Sequence, residues 1–463
     1  MIRDRYPAVD LFALIPEWHL QFEPELAELD RLLTDDALFQ QVKADLARRY
    51  PKSTRTGRPA TPVEVILRLL VVKHLYGWSY EQTAQCVNDS VVLRQFCRLY
   101  LARVPDDTTL LRWANLLPPA TIHRLLDRVT ELARARKVTR GRKLRLDSTV
   151  VETDIHHPSD STLLADGVRV LSRLVRRAKA AVAAGPAAGR ALWRDRTRAA
   201  KRLARRIGAP MVHQKEAREP ERRTLYRRLL AVARASYRQA ERVRALLTPE
   251  HVARLETALD RFLPLVERVI DPTTRRVLHG EHVPAGEKVL SLFEPHTAVL
   301  RRGKARQPTE FGAKIVLDEV EGGIVTRYTV CDGNADDALS LPEGLEHHQR
   351  CFGRAPDLLA GDRHFYSGAN GRLADAAGVR RVVLPKRGQP GRGDAARERE
   401  RWLRRGHQFR AGIEGRISVL KRRFGLRRGR YHGRSGLERG VGWGILAHNR
   451  WTISRTVAQR RVA

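Results

Sequence analysis

Residues 405–424 read RGHQFRAGIEGRISVLKRRF and hold one carboxylate, Glu414, inside a run of positive charge. Apolar side chains recur in this stretch at the period of an amphipathic helix; they are Phe409, Ile413, Ile417 and Leu420. Arg410, Glu414 and Lys421 fall on an adjacent face, because residues three, four and seven apart stack along a helix. Two interpretations stay open here, an ordinary Arg410–Glu414 ion pair on a solvated face and a carboxylate with a function.

Two upstream segments predict buried strands, and each carries an aspartate. Residues 143–151, KLRLDSTVV, alternate and are rich in β-branched side chains, whereas residues 356–365, PDLLAGDRHF, run from apolar residues into a turn. Asp147, Asp362 and Glu414 would then form a set drawn from two strands and a helix. Such a set holds two divalent cations about 4 Å apart for in-line phosphoryl transfer. Three clustered carboxylates repel one another unless metal is bound, so a purely structural role is disfavoured.

The basic helix also carries a spaced motif. His407, Arg410, Glu414 and Lys421 resemble the Tyr-Arg-Glu-Lys signature of bacterial insertion-sequence transposases of the DDE type, with His407 where tyrosine is usual. Further resemblance to the ISNCY-type group lies in Leu146-Asp147-Ser148-Thr149, in residues 154–164 and in residues 283–304. The resemblance covers most of residues 55–455.

The resemblance implies an RNase H-like catalytic domain. Asp147, Asp362 and Glu414 would be its catalytic residues and would bind two Mg²⁺ ions, with Mn²⁺ as a substitute. It also implies an enzyme that cuts the ends of an insertion sequence and joins them to target DNA. Its partners would be the terminal inverted repeats, the target DNA and further copies of the chain. The residues expected to contact DNA are His407, Arg410, Lys421, Arg422 and Arg423.

Composition agrees with a DNA partner. The 463 residues include 87 Lys plus Arg against 52 Asp plus Glu, a formal charge of +35 that favours a polyanion over a small acidic substrate. The Arg- and Ala-rich sequence also suggests a GC-rich genome, and codon bias would then account for part of this charge. No apolar run reaches the roughly 18 residues of a membrane span, so we expect a cytoplasmic protein, associated with the nucleoid through DNA. The four cysteines lack metal-ligand spacing and predict buried thiols.

The predicted fold class is α/β with three parts. Residues 1–140 form an all-α, helix-turn-helix-like domain for DNA binding or assembly, in which Thr61 and Ser79 predict helix N-caps. Residues 141–160 and 271–463 form the RNase H-like mixed sheet with its helices. Residues 161–270 form a basic helical insertion, for which a DNA-gripping arm and a solvated helical hairpin remain equal alternatives.

Further strand signals complete the predicted sheet. They lie at residues 275–278, at 288–293, in a hairpin over 313–330 with a Gly-Gly turn, and at 379–384. The acidic stretch over residues 332–337 predicts a turn that caps a helix near Ala338. Two other functions stay open, a catalytically decayed DNA-binding protein and an RNase H-like nuclease that cuts without strand transfer.

Overall fold

The computed structural model of the chain describes residues 23–49, 61–181, 193–209, 219–247, 249–301, 309–386 and 400–462. The chain divides into two compact units. Unit 1 comprises Met1–Thr153 and Ala313–Ala463, and unit 2 comprises Asp154–Gly312. None of the helices in the described ranges combines the length and the apolar character that crossing a membrane requires.

The described helices are, in chain order, α1 (Pro24–Leu32), α2 (Asp36–Arg49), α3 (Val63–Tyr76), α4 (Tyr80–Asp89), α5 (Val91–Phe96), α6 (Asp107–Leu116), α7 (Pro119–Ala135), α8 (Asp160–Ala181), α9 (Thr197–Ile207), α10 (Glu219–Ala245), α11 (Pro249–Leu278), α12 (Leu341–Phe352), α13 (Gly368–Ala376), α14 (Arg401–Arg423) and α15 (Arg434–Val462). The described strands are β1 (Lys143–Thr153), β2 (Ala298–Arg301), β3 (Thr309–Val320), β4 (Ile324–Val330), β5 (Leu358–Ala360), β6 (Arg381–Val383) and β7 (Arg428–Gly429). Short 3₁₀ helices lie at Ala285–Glu287 and Asp337–Ser340.

Among the helices α1–α7 of unit 1, side-chain N-caps begin α4, α5 and α6 but not α1, α3 or α7. Ser79 caps α4 in a reciprocal capping box with Gln82, as the sequence predicts. The cap predicted at Thr61 is wrong, because α3 starts at Val63 with Pro62 at the N-cap position and no side-chain cap. Tertiary packing replaces the missing cap, since nearly every side chain of α3 is buried.

The sheet of unit 1 places β1 in the middle. Its strands follow the order β4-β3-β1-β5-β6, and β7 pairs with the end of β1. β1, β5 and β6 are parallel neighbours, whereas β3 and β4 form an antiparallel hairpin. The hairpin turn carries Gly322 and Gly323 at φ +84° and +77°, so the predicted Gly-Gly turn is confirmed.

Apolar packing fixes α14 on this sheet. Leu358, Ala360, Val383 and Leu403 form a buried cluster with Phe409 against it. The approach is close at Gly406, where an added Cβ would lie 2.5 Å from Val383 Cγ2. The amphipathic pattern of residues 405–424 therefore faces the sheet, with Ile413 and Leu420 buried as predicted.

Unit 2 is mainly helical. Helices α8–α11 bury a core of their own, which includes Leu171, Leu229 and Val266. β2 pairs with the first residues of β3, Thr309–Gly312. Two predicted strands are wrong: residues 275–278 belong to α11, and residues 288–293 form no strand. At both places Val and Leu side chains pack against the core of unit 2, from a helix at residues 275–278 and from irregular structure at residues 288–293.

Candidate active site and nucleic-acid interface

Asp147 and Asp362 follow the paired residues of two neighbouring parallel strands. The register of β1 and β5 pairs Arg145 with Ala360, and each aspartate lies two residues beyond its strand's member of that pair. Parallel strands in register bring such positions to the same level of a sheet. The two carboxylates predicted from separate parts of the sequence thus lie two residues beyond one paired position, Asp147 within β1 and Asp362 just past the end of β5.

Short-range hydrogen bonds orient both aspartates. Asp147 Oδ1 accepts a bond from the Ser148 amide at 2.7 Å. Asp362 Oδ1 accepts one from the His364 amide at 2.8 Å, and its Oδ2 lies 2.9 Å from His364 Nδ1. Asp362 is partly exposed, with 28% of its side chain accessible, so it can reach both solvent and a ligand.

Asp337 is a buried carboxylate beside this pair that the sequence interpretation did not select. Ser148 Oγ donates to Asp337 Oδ2 at 3.1 Å, and Lys314 Nζ lies 2.9 Å from Oδ1. One ligand atom from each of Asp337, Asp362 and His364 lies within 4.8 Å of the others. The predicted turn is confirmed, because Asp336 caps the 3₁₀ helix through the Ala338 amide, yet the next residue faces the aspartates. Its place in the acidic stretch that follows the β3–β4 hairpin is the signal that could have identified it.

Glu414 is placed differently. It lies on α14 with 65% of its side chain exposed, and Arg410 Nη2 lies 3.3 Å from its Oε1. Among the described residues, Asp147, Asp362 and Glu414 do not form a group with ligand atoms within 4.8 Å of one another. The structure thus brings the two aspartates to adjacent strands and contains the predicted Arg410–Glu414 ion pair.

A buried carboxylate ties α14 to the strand that carries Asp147. The Glu319 side chain is fully buried and accepts bonds from Arg145 Nε at 3.0 Å and Nη2 at 2.7 Å. Arg416 of α14 reaches the same carboxylate at 3.2 Å, and Arg145 also donates to the Phe409 carbonyl. Buried charges of this kind need several partners, so β1, β3 and α14 are held in one arrangement.

The predicted DNA-contacting residues are spread along α14. His407, Arg410 and Lys421 are half-buried, whereas Arg422 and Arg423 are exposed. The guanidinium of Arg423 lies over the ring of Trp451, 4.7 Å from its centroid. The helix therefore presents cations along its length, and the aromatic contact of Arg423 fixes one of them.

A family model matches the N-terminal part of the chain. Residues 9–116 match the transposase domain family DUF772. No curated protein and no solved structure matches the chain. The match indicates a transposase role.

The matched region precedes all the candidate catalytic carboxylates. Of its residues, the structure describes 23–49 and 61–116, which contain α1–α6. A buried arginine holds these helices together: Arg68 donates to Glu64 at 2.9 Å, to Asp30 at 2.6 Å and to the Phe96 carbonyl at 2.9 Å. The transposase match thus rests on a helical core, separate in sequence from the strands that carry Asp147 and Asp362.

A second group of metal-ligand types lies elsewhere in unit 1. His347 Nε2 lies 2.9 Å from Asp127 Oδ1 and 3.7 Å from Cys351 Sγ. Burial raises the pKa of the Cys351 thiol to about 11, which keeps it protonated at neutral pH. The four cysteines are free thiols, but only Cys97 is buried, so the prediction of buried thiols is wrong for the other three.

Proposed function

We propose that this protein is the DNA transposase of an insertion sequence, which cuts the element's ends and joins them to target DNA by two-metal phosphoryl transfer. The observation that carries the proposal is the register of β1 and β5, in which Asp147 and Asp362 each lie two residues beyond the pair Arg145–Ala360. The transposase-domain match at residues 9–116 supports the same class of enzyme from an independent part of the chain.

The strand order supports an RNase H-like catalytic domain. The first strand of the sheet is central, an antiparallel hairpin lies on one side of it and two parallel strands lie on the other. This is the arrangement we expect of an RNase H-like mixed sheet interrupted by a helical insertion. The insertion begins after β1 and includes α8–α11, so it leaves the pairing of β1 with β5 intact.

The donor chemistry of the proposed site fits a hard divalent cation. Asp147 and Asp362 offer carboxylate oxygens, which Mg²⁺ and Mn²⁺ prefer. Asp147, Asp362 and Glu414 would hold two such ions, with Glu414 released from Arg410. When bound, the ions supply Lewis-acid activation of a water or DNA 3′-hydroxyl and stabilise charge on the leaving oxygen.

The chain's own residues would position the DNA. Arg410 and Lys421 would hold phosphates beside the scissile bond, and His407 would contact the backbone or assist proton transfer. Arg422 and Arg423 would extend the contact to the end of α14. The N-terminal helices would form a helix-turn-helix-like domain that binds the element's inverted repeats, and a homo-oligomer would bring two ends together.

The test is a joining reaction. Purified protein is incubated with linear DNA that carries the element's ends and with a supercoiled target, in Mg²⁺ or in EDTA. We expect joined products only with metal, their loss in Asp362→Asn, and their retention in Asp375→Asn, a matched change at an exposed carboxylate on α13.

Two other outcomes would contradict the proposal. Metal-dependent nicks without joined products would identify a nuclease that lacks strand transfer. DNA binding without cleavage in any condition, unchanged in Asp362→Asn, would identify a decayed transposase that retains only DNA binding.

A further inference from the structure

A cavity of about 610 Å³ lies between the C-terminal half of α14 and the last turns of α15, within unit 1. Four arginines line it, together with an aromatic wall; the residues that matter are Arg416, Arg422, Arg423, His448, Trp451 and Arg455. Among the described residues that line the cavity, none is Asp or Glu. A cavity of this size exceeds what one small anion needs and is within the range of ligand-binding pockets, roughly 300–1,000 Å³.

Three of the four guanidinium groups are not neutralised. Arg422, Arg423 and Arg455 are exposed and make no ion pair with any residue in the described part of the chain. Arg416 differs, because it is held by the buried Glu319 carboxylate at 3.2 Å. Burial lowers the pKa of His448 to about 3, so its ring is neutral and adds no charge. The cavity therefore presents about three net positive charges, which favour an anion with several charges.

The fixed parts of the lining give the cavity a shape. Arg416 Nη1 lies 2.9 Å from His448 Nε2, which joins α14 to α15. Arg423 covers the half-buried ring of Trp451 at 4.7 Å. Guanidinium groups without a carboxylate partner suit backbone phosphates, and the contact with Trp451 holds Arg423 in place among them.

The cavity is not the proposed cleavage site. Arg416 and Arg423 are seven residues apart and share one face of α14, whereas Glu414 and Lys421 share another. Residues two apart on a helix do not face each other, so Glu414 points away from the face that Arg416 presents to the cavity. A ligand in the cavity would therefore occupy a second position on the same helix.

We propose that this cavity binds the phosphodiester backbone of DNA outside the cleavage site, through Arg422, Arg423 and Arg455 against the wall formed by Trp451. The inference rests on the proposed DNA transposase function and extends it to a second contact that would hold the flank of the bound DNA. Of these residues, the sequence predicted only Arg422 and Arg423 as DNA contacts, from the basic stretch that follows Glu414. The structure adds Arg416, Arg455 and Trp451 and joins them into one site.

The test measures binding of the full chain to a duplex in EDTA, over a series of NaCl concentrations. Each phosphate contact contributes about 0.9 to the slope of log K against log salt concentration. We expect Arg422→Ala/Arg455→Ala to reduce that slope by about 2. The control, Arg372→Ala/Arg380→Ala, removes the same charge from two exposed arginines on and just after α13 and should leave the slope unchanged.

If the two double variants changed the slope equally, or if neither changed it, the proposal that the cavity binds DNA would be refuted. If thermal melting shows that the pocket variant is unfolded, Arg455→Ala alone replaces it, with an expected reduction of about 1. Binding in EDTA is independent of the joining assay. A chain that shows the slope change but never joins DNA would refute the transposase function only, and one that joins DNA without the slope change would refute the cavity only.

Discussion

Arg145 and Glu319 form a buried two-point ion pair, with Nε–Oε2 at 3.0 Å and Nη2–Oε1 at 2.7 Å, between the strand that carries Asp147 and the neighbouring strand. Arg416 joins the same carboxylate from α14 at 3.2 Å. The strand that carries Asp147 and the helix that carries Glu414 thus meet at one fully buried side chain, that of Glu319.

Removal of the Glu319 charge should destabilise unit 1. Glu319→Gln leaves Arg145 buried with no carboxylate partner at this position, and breaking a buried pair from one side costs about 3–5 kcal/mol. Urea unfolding measures the loss. The control Glu131→Gln breaks an exposed pair with Arg128 and should cost at most about 1 kcal/mol. Equal losses in the two variants would show that Glu319 does not anchor the fold.

Glu414→Gln separates the two interpretations of the basic helix. An exposed ion pair four residues apart stabilises by about 0.3–0.5 kcal/mol, so unfolding should change little in either case. If Glu414 is a metal ligand, Glu414→Gln should lower the cleavage rate at least about a hundredfold. If Glu414→Gln cleaved DNA at the wild-type rate, Glu414 would not be a metal ligand, and only the interpretation as a solvated ion pair would remain.

The β3–β4 turn should tolerate no side chain at Gly322. An alanine Cβ there would lie 2.3 Å from the Val138 carbonyl oxygen, at a φ of +84°. Gly333 is the matched control, since its φ is +61° and an added Cβ meets open space. We expect Gly333→Ala to cost about 1 kcal/mol from its backbone conformation alone, and Gly322→Ala to cost clearly more by urea unfolding. Equal costs would show that the turn relaxes away from Val138.

Stability should fall in mild acid because of His348. Burial lowers the pKa of His348 from 6.5 to about 4, and its Nε2 lies 3.0 Å from the Gly141 carbonyl, to which it donates. The unfolded chain then binds the proton more readily, so this contribution is complete above pH 6.5 and is lost as the pH falls toward 4.

The measurement is the free energy of unfolding at pH 7 and pH 5. The difference between the free energies of unfolding at pH 7 and pH 5 should be smaller in His348→Gln than in the wild type by about 2 kcal/mol. The exposed His279, changed to Gln, serves as the control. An unchanged pH profile in His348→Gln would show that the ring is not kept neutral by the fold.

The sequence predicted those parts of unit 1 that have a strong local pattern. The α14 helix, the hairpin with its two glycines and the strands before Asp147 and Asp362 follow from periodicity and turn chemistry. It failed at residues 275–278, since four apolar and basic residues cannot distinguish a strand from the last turn of α11.

The candidate site was less accessible to sequence reasoning because its geometry depends on strand register. Asp337 looked like one of several turn acids, and only the fold brings it to Ser148 and Asp362. Likewise, the exposure of Glu414 depends on which face of α14 packs on the sheet. The helical period alone does not decide between the two candidate faces.

We propose that Asp147 of β1 and Asp362, just past the end of β5, act as one catalytic unit. The most direct measurement compares metal-dependent cleavage of end-bearing DNA by Asp147→Asn, by Asp362→Asn and by the double variant. Residues that act as a unit are strongly non-additive. We predict that each single variant loses at least about a hundredfold in rate and that the double variant loses no more than either single one. Cleavage at the wild-type rate by either single variant would contradict the account.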